Sequence, residues 1–164
     1  MIKTRWSTCE DVQSLAHVHA DAWRFAYCGL IPGLTLERMI VAHDADWWSA
    51  MHAAGAKSLV LEFDGVVRGY ARIGRCRNQE FERAGEIYEL YLDPACHGAG
   101  FGKRLFGEAR RRLAARGHIG VVVWSLAVNE VGCRFYRALG GRIWAKGATR
   151  VGGVDFDRVA FAWR

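Results

Sequence analysis

The fold of this chain is decided by the stretch Leu92-Asp93-Pro94-Ala95-Cys96-His97-Gly98-Ala99-Gly100-Phe101-Gly102-Lys103-Arg104. A strand pattern, Glu86 to Leu92, precedes it, and a helical pattern follows from Phe101 to Arg116, where Gly117 ends the helix. Asp93-Pro94 ends the strand because proline disfavours continuation. Three glycines at alternate positions then leave the backbone uncovered where the helix begins. A helix N-terminus offers unpaired N–H groups and a positive dipole end, so this turn is suited to binding an anion, above all a phosphate.

Two phosphate-binding motifs do not match this turn. A P-loop requires Gly, four residues, Gly-Lys and then Ser or Thr. Gly102-Lys103 is present, but His97 stands at the first glycine position and Arg104 replaces the hydroxyl that would bind magnesium. A dinucleotide fingerprint, G-x-G-x-x-G, would have Lys103 at its third glycine and lacks the acid about 20 residues further on.

A third pattern does match. The segment His97 to Gly102 resembles the acetyl-CoA-binding loop of the GCN5-related N-acetyltransferases, which reads Gln or Arg, two residues, Gly, one residue, Gly or Ala. His97 replaces the usual Gln or Arg, while backbone amides do most of the phosphate binding. The alternative is a glycine-rich turn that only reverses the chain. The resemblance implies acetyl-CoA as co-substrate, bound by His97, Gly98, Ala99, Gly100, Phe101, Gly102 and Lys103.

A second segment, Asn129 to Gly140, resembles the family pattern N-x-x-A-x-x-x-Y-x-x-x-G, with Gly132 where Ala is usual. The resemblance implies that Asn129 hydrogen-bonds the pantetheine arm, and that Tyr136 protonates the departing thiolate. It also implies that backbone groups of Leu90, Tyr91 and Leu92 bind the arm and polarise the thioester carbonyl. The alternatives are a helix N-cap for Asn129, which is compatible with the binding role, and a surface helix position for Tyr136.

The sequence indicates the general base and the acceptor site less clearly than it indicates the cofactor-binding segments. Glu86 and Glu89 lie in a strand expected to be buried, where a carboxylate is costly unless it has a function or a partner. Glu86 occupies the position where some family members have their base, so it is the preferred catalytic residue and Glu89 the second. A water chain, or a carboxylate paired with an arginine, are the alternatives. The helix bend at residues 22–32 resembles one that lines the family's acceptor pocket, which implies Trp23 and Tyr27 as substrate-binding residues, and we expect Glu89 to bind substrate as well. Core packing is the alternative for Trp23 and Tyr27, and for Trp23 it is favoured.

The order of elements resembles that of the N-acetyltransferase fold along essentially the whole chain, which implies one such domain over residues 1–164. The fold class that the resemblance implies is α/β (α+β): a mixed central sheet of about seven strands with helices on both faces and a splay between the two central strands. The expected strands are Met1–Arg5, Ser58–Phe63, Val66–Ile73, Glu86–Leu92, His118–Leu126, Arg142–Ala145 and Val154–Trp163. The expected helices run from a Ser7-x-x-Glu10 capping box to Gly29, from Asp44 to Ala54, from Phe101 to Arg116 and from Glu130 to Leu139. Loops are expected at residues 74–84 and 146–153.

Composition narrows the functional classes. The chain has 164 residues and a net charge of +6, which suggests either an anionic partner or a solvated basic helix face. Five scattered cysteines without a C-x-x-C pair indicate reduced thiols, and we expect a cytoplasmic protein with no membrane segment and no metal. An acetyl-CoA-dependent N-acetyltransferase acting on a primary amine is the leading interpretation. A silent acyl-CoA-binding module and a nucleic-acid-binding protein are the alternatives, although we expect no nucleic acid as partner. The sequence leaves open both the acceptor amine and a homodimer.

Overall fold

The computed structural model describes residues 1–164 and contains a seven-stranded sheet with five α-helices. The strands are β1 (Ile2–Trp6), β2 (Leu59–Phe63), β3 (Val66–Arg75), β4 (Gly85–Leu92), β5 (Val121–Leu126), β6 (Arg142–Val151) and β7 (Val154–Trp163). The helices are α1 (Val12–Tyr27), α2 (Gly33–Val41), α3 (Ala45–Ala53), α4 (Phe101–Ala115) and α5 (Glu130–Ala138). Short 3₁₀ turns cover Cys9–Asp11, Gln79–Phe81 and Pro94–Cys96.

The sheet is mixed, as the sequence predicts. Its strand order is β1-β2-β3-β4-β5-β7-β6. β4 and β5 run parallel and pair at Gly85↔Val121 and Glu86↔Val122, the first two residues of each strand. β7 pairs antiparallel with both β5 and β6, so β6 forms an edge of the sheet.

The chain divides into two compact units. The first comprises Met1–Arg72 and Glu89–Ala109, and the second Ile73–Tyr88 and Arg110–Arg164. In the first unit, β2 and β3 form the hairpin that Asp64-Gly65 predicts. Both turn residues have positive φ, 50° and 82°, as a two-residue hairpin turn requires. Six residues form a buried core cluster in this unit, namely Leu15, Val18, Trp48, Val60, Val67 and Tyr70.

The N-terminal capping box lies one residue later than expected. The backbone N–H of Thr8 donates to the Asp11 carboxylate at 2.7 Å, so the box is Thr8–Asp11 and not Ser7–Glu10. Ser7 is buried and exchanges hydrogen bonds with Ser58: its N–H donates to the Ser58 carbonyl, and its hydroxyl accepts from the Ser58 N–H. The prediction of Ser7 as the cap was wrong because a contact distant in sequence engages its hydroxyl.

Three helices, and not two, precede β2. The additional helix, α2, begins after Pro32 and buries only Leu36 and Ile40. Nine residues with two buried positions give a weak periodic signal, so the sequence did not mark it as a separate helix. The expected helix around Trp47 and Trp48 is confirmed as α3, with Asp44 as its N-cap.

The predicted helix from Phe101 to Arg116 is confirmed as α4, which ends one residue earlier, at Ala115. The five apolar positions that define its predicted inner face are all buried: Phe101, Leu105, Phe106, Ala109 and Leu113. Gly117 has φ +86°, the left-handed conformation expected of the residue that ends the helix.

In the second unit, the region expected to be the glycine-rich loop 146–153 is mostly strand. β6 continues to Val151, and only Gly152-Gly153 forms the turn into β7. The loop prediction was wrong because an edge strand tolerates the polar composition around Lys146 and Arg150. The other expected loop, 74–84, is shorter too, since β3 extends to Arg75 and a 3₁₀ turn follows at Gln79–Phe81.

Candidate active site

The end of β4 is fixed by Asp93, in the first unit. The backbone N–H of Asp93 donates to the Arg68 carbonyl at 2.7 Å, and its carboxylate accepts from Arg68 Nη1 at 2.9 Å. The same carboxylate accepts from the backbone N–H of Ala95 at 2.9 Å and caps the 3₁₀ turn. These contacts hold the segment that leads from the strand into the glycine turn.

The glycine turn has the backbone that only glycine adopts readily. Gly98 and Gly100 have φ of +78° and +82°, and a Cβ added at either would meet no atom within 4 Å. Residues 97–100 are exposed, and α4 begins at the buried Phe101. Since the first N–H groups of a helix have no partner within it, the turn presents donors beside open space. This geometry fits a phosphate group.

Side chains around the turn are mostly exposed. The ring of His97 contacts Phe25 edge-on, with centroids 5.0 Å apart. Lys103 is exposed on the first turn of α4, and the guanidinium of Arg104 donates to the Ile2 carbonyl at 3.2 Å. His97 and Lys103 are thus accessible to a ligand from solvent.

Three residues expected near the reacting groups lie together in the first unit. The hydroxyls of Tyr27 and Tyr91 are 3.2 Å apart, and the Trp23 ring lies 5.1 Å from that of Tyr27 and 6.2 Å from that of Tyr91. Burial raises the pKa of both tyrosines, and the negative charge of Glu89 raises it further. The two hydroxyls are therefore protonated at neutral pH.

Glu89 interacts electrostatically with the same two tyrosines, Tyr27 and Tyr91. Its Oε2 lies 3.4 Å from Arg72 Nη1, and both side chains are mostly buried. A carboxylate, a guanidinium and two protonated phenols thus form a polar group within an aromatic environment.

Glu86, in the second unit, has a different environment. It is 1% exposed, and both of its oxygens accept hydrogen bonds from Arg77. The Arg77 Nη2 atom lies 2.6 Å from Oε1, and the Arg77 backbone N–H lies 2.9 Å from Oε2. Glu86 is therefore paired with an arginine, which was the alternative to its role as the base.

Asn129 and Tyr136 also lie in the second unit. The Asn129 side chain accepts from the Gly132 N–H at 3.1 Å and so caps α5, which leaves its amide N–H₂ group able to donate elsewhere. Tyr136 is buried and packs against Phe161 and Trp163, with ring centroids 5.6 and 5.9 Å away. The alternative of a surface position for Tyr136 is therefore excluded, because its helix packs this ring inward.

No functional role was assigned to His19 from the sequence, and its buried imidazole lies beside Trp23. His19 Nδ1 lies 2.9 Å from the hydroxyl of Tyr70, and the His19 ring lies 4.9 Å from Trp23 and 5.0 Å from His43. Burial, helped by His43 and Arg72, lowers the pKa of His19 to about 4. The spacing of His19, Trp23 and Tyr27, four residues apart on one helix face, is the signal that could have indicated this cluster.

Comparison with known proteins agrees with this geometry. A family model described as acetyltransferase (GNAT) family matches residues 15–140. The chain belongs to this family. Its fold and its N-acetyltransferase class are those that the glycine turn and the order of elements indicate.

Relatives extend the likeness of this GNAT chain over nearly its whole length. It is 27% identical over 163 residues to an uncharacterised N-acetyltransferase, YuaI, of Bacillus subtilis, with 99% of this chain and 93% of the relative covered. A shorter match, 39% identical over 69 residues and 40% of each chain, is to an L-methionine sulfoximine/L-methionine sulfone acetyltransferase of Salmonella typhimurium. The crystal structure of a PaiA N-acetyltransferase from Thermoplasma acidophilum in complex with coenzyme A has the same fold. Its TM-score is 0.76 at 21% identity, and 97% of this chain and 98% of that chain are covered.

No helix of this GNAT protein combines the length and apolar character needed to cross a membrane. The structure also contains no group of three or more histidine, cysteine, aspartate or glutamate residues arranged to hold a metal ion.

Proposed function

We propose that this protein transfers the acetyl group of acetyl-CoA to a primary amine of a small molecule, by direct attack in a ternary complex. The observation that carries the proposal is the glycine turn, with two left-handed glycines facing open space where α4 begins. The 69-residue match to a relative named for L-methionine sulfoximine and sulfone fits a small-molecule acceptor better than a protein. Residues 1–164 would form the single domain that performs this reaction.

The co-substrate would be held through its phosphates and its arm. The backbone amides of residues 98–103 would bind the pyrophosphate, with His97 and Lys103 contributing side chains. Asn129, whose amide N–H₂ group is left available by its capping bond, would donate to the pantetheine arm. Backbone groups of Leu90, Tyr91 and Leu92 would bind the arm and polarise the thioester carbonyl.

The reaction forms an N–C bond and breaks a C–S bond. The amine must lose a proton, and the departing thiolate must gain one. Tyr136 is proposed to donate the second proton. Its buried ring is held by Phe161 and Trp163, which would fix the direction of the hydroxyl.

The base is proposed to be one of two carboxylates. Glu86 is the position indicated by family resemblance, but both of its oxygens already accept from Arg77. Glu89 lies among the protonated hydroxyls of the acceptor-side aromatic residues and has a weaker contact with Arg72 at 3.4 Å. Glu86→Gln and Glu89→Gln separate the two: the true base loses rate mainly below the pKa of the amine, whereas loss of the Arg77 ion pair lowers stability.

The compartment and the assembly are also proposals. All five cysteines are free, and Cys9 and Cys28 are exposed, which fits the reducing cytoplasm. A homodimer stays a prediction, and sedimentation of the purified protein would test it.

Release of free thiol from acetyl-CoA in the presence of an amine panel tests the proposal. We expect release that depends on the amine and saturates with both substrates. Binding of acetyl-CoA without transfer to any amine would identify a silent acyl-CoA-binding module. Binding of nucleic acid that weakens steeply with salt, with no binding of acetyl-CoA, would support a nucleic-acid-binding protein instead.

A further inference from the structure

Besides Arg68 Nε, four buried side-chain nitrogen atoms in the first unit have no hydrogen-bond partner. They belong to an imidazole–indole cluster, which we define as His19, Trp23, His43 and Trp48: the atoms are His19 Nε2, Trp23 Nε1, His43 Nδ1 and Trp48 Nε1. The His19 ring lies 4.9, 5.0 and 6.3 Å from the other three rings. Buried polar atoms are nearly always paired in native proteins, so four such atoms in one cluster require acceptors from outside the chain, either ordered water or a polar ligand.

At least two of these atoms are donors. His19 is 1% exposed, and its lowered pKa leaves it neutral at pH 7, with one N–H. The hydroxyl of Tyr70 is fully buried and lies 2.9 Å from His19 Nδ1. In the tautomer in which this hydroxyl donates to Nδ1, the proton of His19 is on Nε2. The indole nitrogens of Trp23 and Trp48 can only donate. The matching ligand group must supply acceptor oxygens.

The charges beside the cluster are arranged unevenly. The guanidinium of Arg72 lies 5.5 Å from the Trp47 ring, which itself contacts His43 and Trp48 at 4.2 and 5.0 Å. The positive charge of Arg72 helps to lower the pKa of His19. The negative charge of Glu89, which pairs with Arg72 at 3.4 Å, helps to raise the pKa values of Tyr27 and Tyr91, and both charges act on Tyr70. Within this ion pair, Arg72 acts on the imidazole of the cluster and Glu89 acts on Tyr27 and Tyr91.

We propose that the acceptor is an α-amino acid, whose carboxylate binds the N–H donors of the imidazole–indole cluster beside Arg72. This assignment rests on the proposed acetyl transfer and specifies its substrate class. The α-amine, two bonds from the carboxylate carbon, faces Glu89 and the Tyr27–Tyr91 hydroxyl pair. Trp23 and His43 are half-buried whereas His19 and Trp48 are buried, so the ligand enters from the side of the former two.

The test compares each amino acid with the same molecule lacking its carboxylate. L-Methionine, L-phenylalanine and L-lysine are paired with 3-(methylthio)propylamine, 2-phenylethylamine and cadaverine, and with their carboxamides. We expect kcat/KM for at least one amino acid to exceed that of its amine by about tenfold to hundredfold, the effect of hydrogen bonds to a charged group. Amines that react as well as every amino acid would overturn the assignment while leaving acetyl transfer intact.

Variants locate the carboxylate. Trp23→Phe keeps an aromatic ring but removes the indole N–H, and Arg72→Gln removes the charge. Each should raise KM for the amino acid about tenfold more than it raises KM for the matched amine. Trp144→Phe, at a partly exposed tryptophan in the second unit, is the matched control and should leave the preference unchanged. A preference for the amino acid that survives both Trp23→Phe and Arg72→Gln would refute these residues as its source.

Two further outcomes separate this inference from the proposed function. If acetyl-CoA binds and neither amino acids nor amines are acetylated, the proposed function fails and the substrate class fails with it. Calorimetric titration of the CoA-loaded protein with the amino acids and amines gives a readout that does not depend on turnover. Equal affinity for an amino acid and its matched amine in this titration would also overturn the inference.

Discussion

Replacing Gly100 with valine tests whether the glycine turn holds the co-substrate. Gly100 has φ +82°, where an L-residue is strained by about 1–2 kcal/mol, and a β-branched one by somewhat more. No atom lies within 4 Å of the added Cβ, so no steric clash adds to that cost. A domain with a typical stability of about 5–15 kcal/mol remains folded after such a loss. The new side chain would instead occupy the open space beside the helix N-terminus.

We therefore expect Gly100→Val to weaken acetyl-CoA binding at least about 100-fold, or about 3 kcal/mol, in isothermal calorimetry. Thermal unfolding monitors the fold in parallel. Gly107→Val is the matched control, because Gly107 lies within α4, is exposed, and would likewise place its Cβ in open space. Affinity unchanged in Gly100→Val, with the protein folded, would refute the placement of the pyrophosphate on this turn.

Three further predictions concern single side chains. His97→Ala should weaken acetyl-CoA binding by no more than about 1.5 kcal/mol in calorimetry, because backbone amides carry most of the contact; a much larger loss would mean a specific role for the imidazole. Tyr136→Phe should lower kcat by roughly 10²–10⁴ with affinity nearly unchanged, and a parent rate would exclude Tyr136 as the acid. His19 has a folded pKa of about 4 against 6.5 when unfolded, so the unfolded chain binds the proton first as pH falls. Up to about 3 kcal/mol of stability, present above pH 6.5, should be lost between pH 6.5 and 4 in urea unfolding, and His19→Gln should lack this dependence.

Elements whose signals are local were predicted well from the sequence. The Asp64-Gly65 hairpin and the end of α4 at Gly117 depend on left-handed backbone that few residues adopt. The buried face of α4 follows from helical spacing, and Val121 to Val123 lie buried in β5, the strand parallel to β4. The backbone of the glycine turn could be predicted because its glycines lie within one short segment.

What could not be predicted depends on contacts distant in sequence. Ser7 is engaged by Ser58, which moves the capping box, and β6 is extended by pairing with β7 despite its polar composition. The sequence left several roles open for Glu86, including an ion pair with an arginine. That pairing could not be predicted because it depends on where the loop after β3 places Arg77. The imidazole–indole cluster joins residues of α1 and α3 with the segment between α2 and α3, so the helical spacing of His19 and Trp23 could indicate only its α1 part.

The central claim is direct acetyl transfer from acetyl-CoA to an amine, and mass spectrometry of a single turnover tests it most directly. Protein in excess over acetyl-CoA is mixed with the best amine, and the free CoA, the acetylated amine and the intact protein are weighed together. The account predicts acetylated amine and CoA in equal amounts, with no acetyl group on the protein at any time. An acetylated protein that forms without the amine, or acetyl-CoA that stays bound and unreacted with every amine, would contradict it.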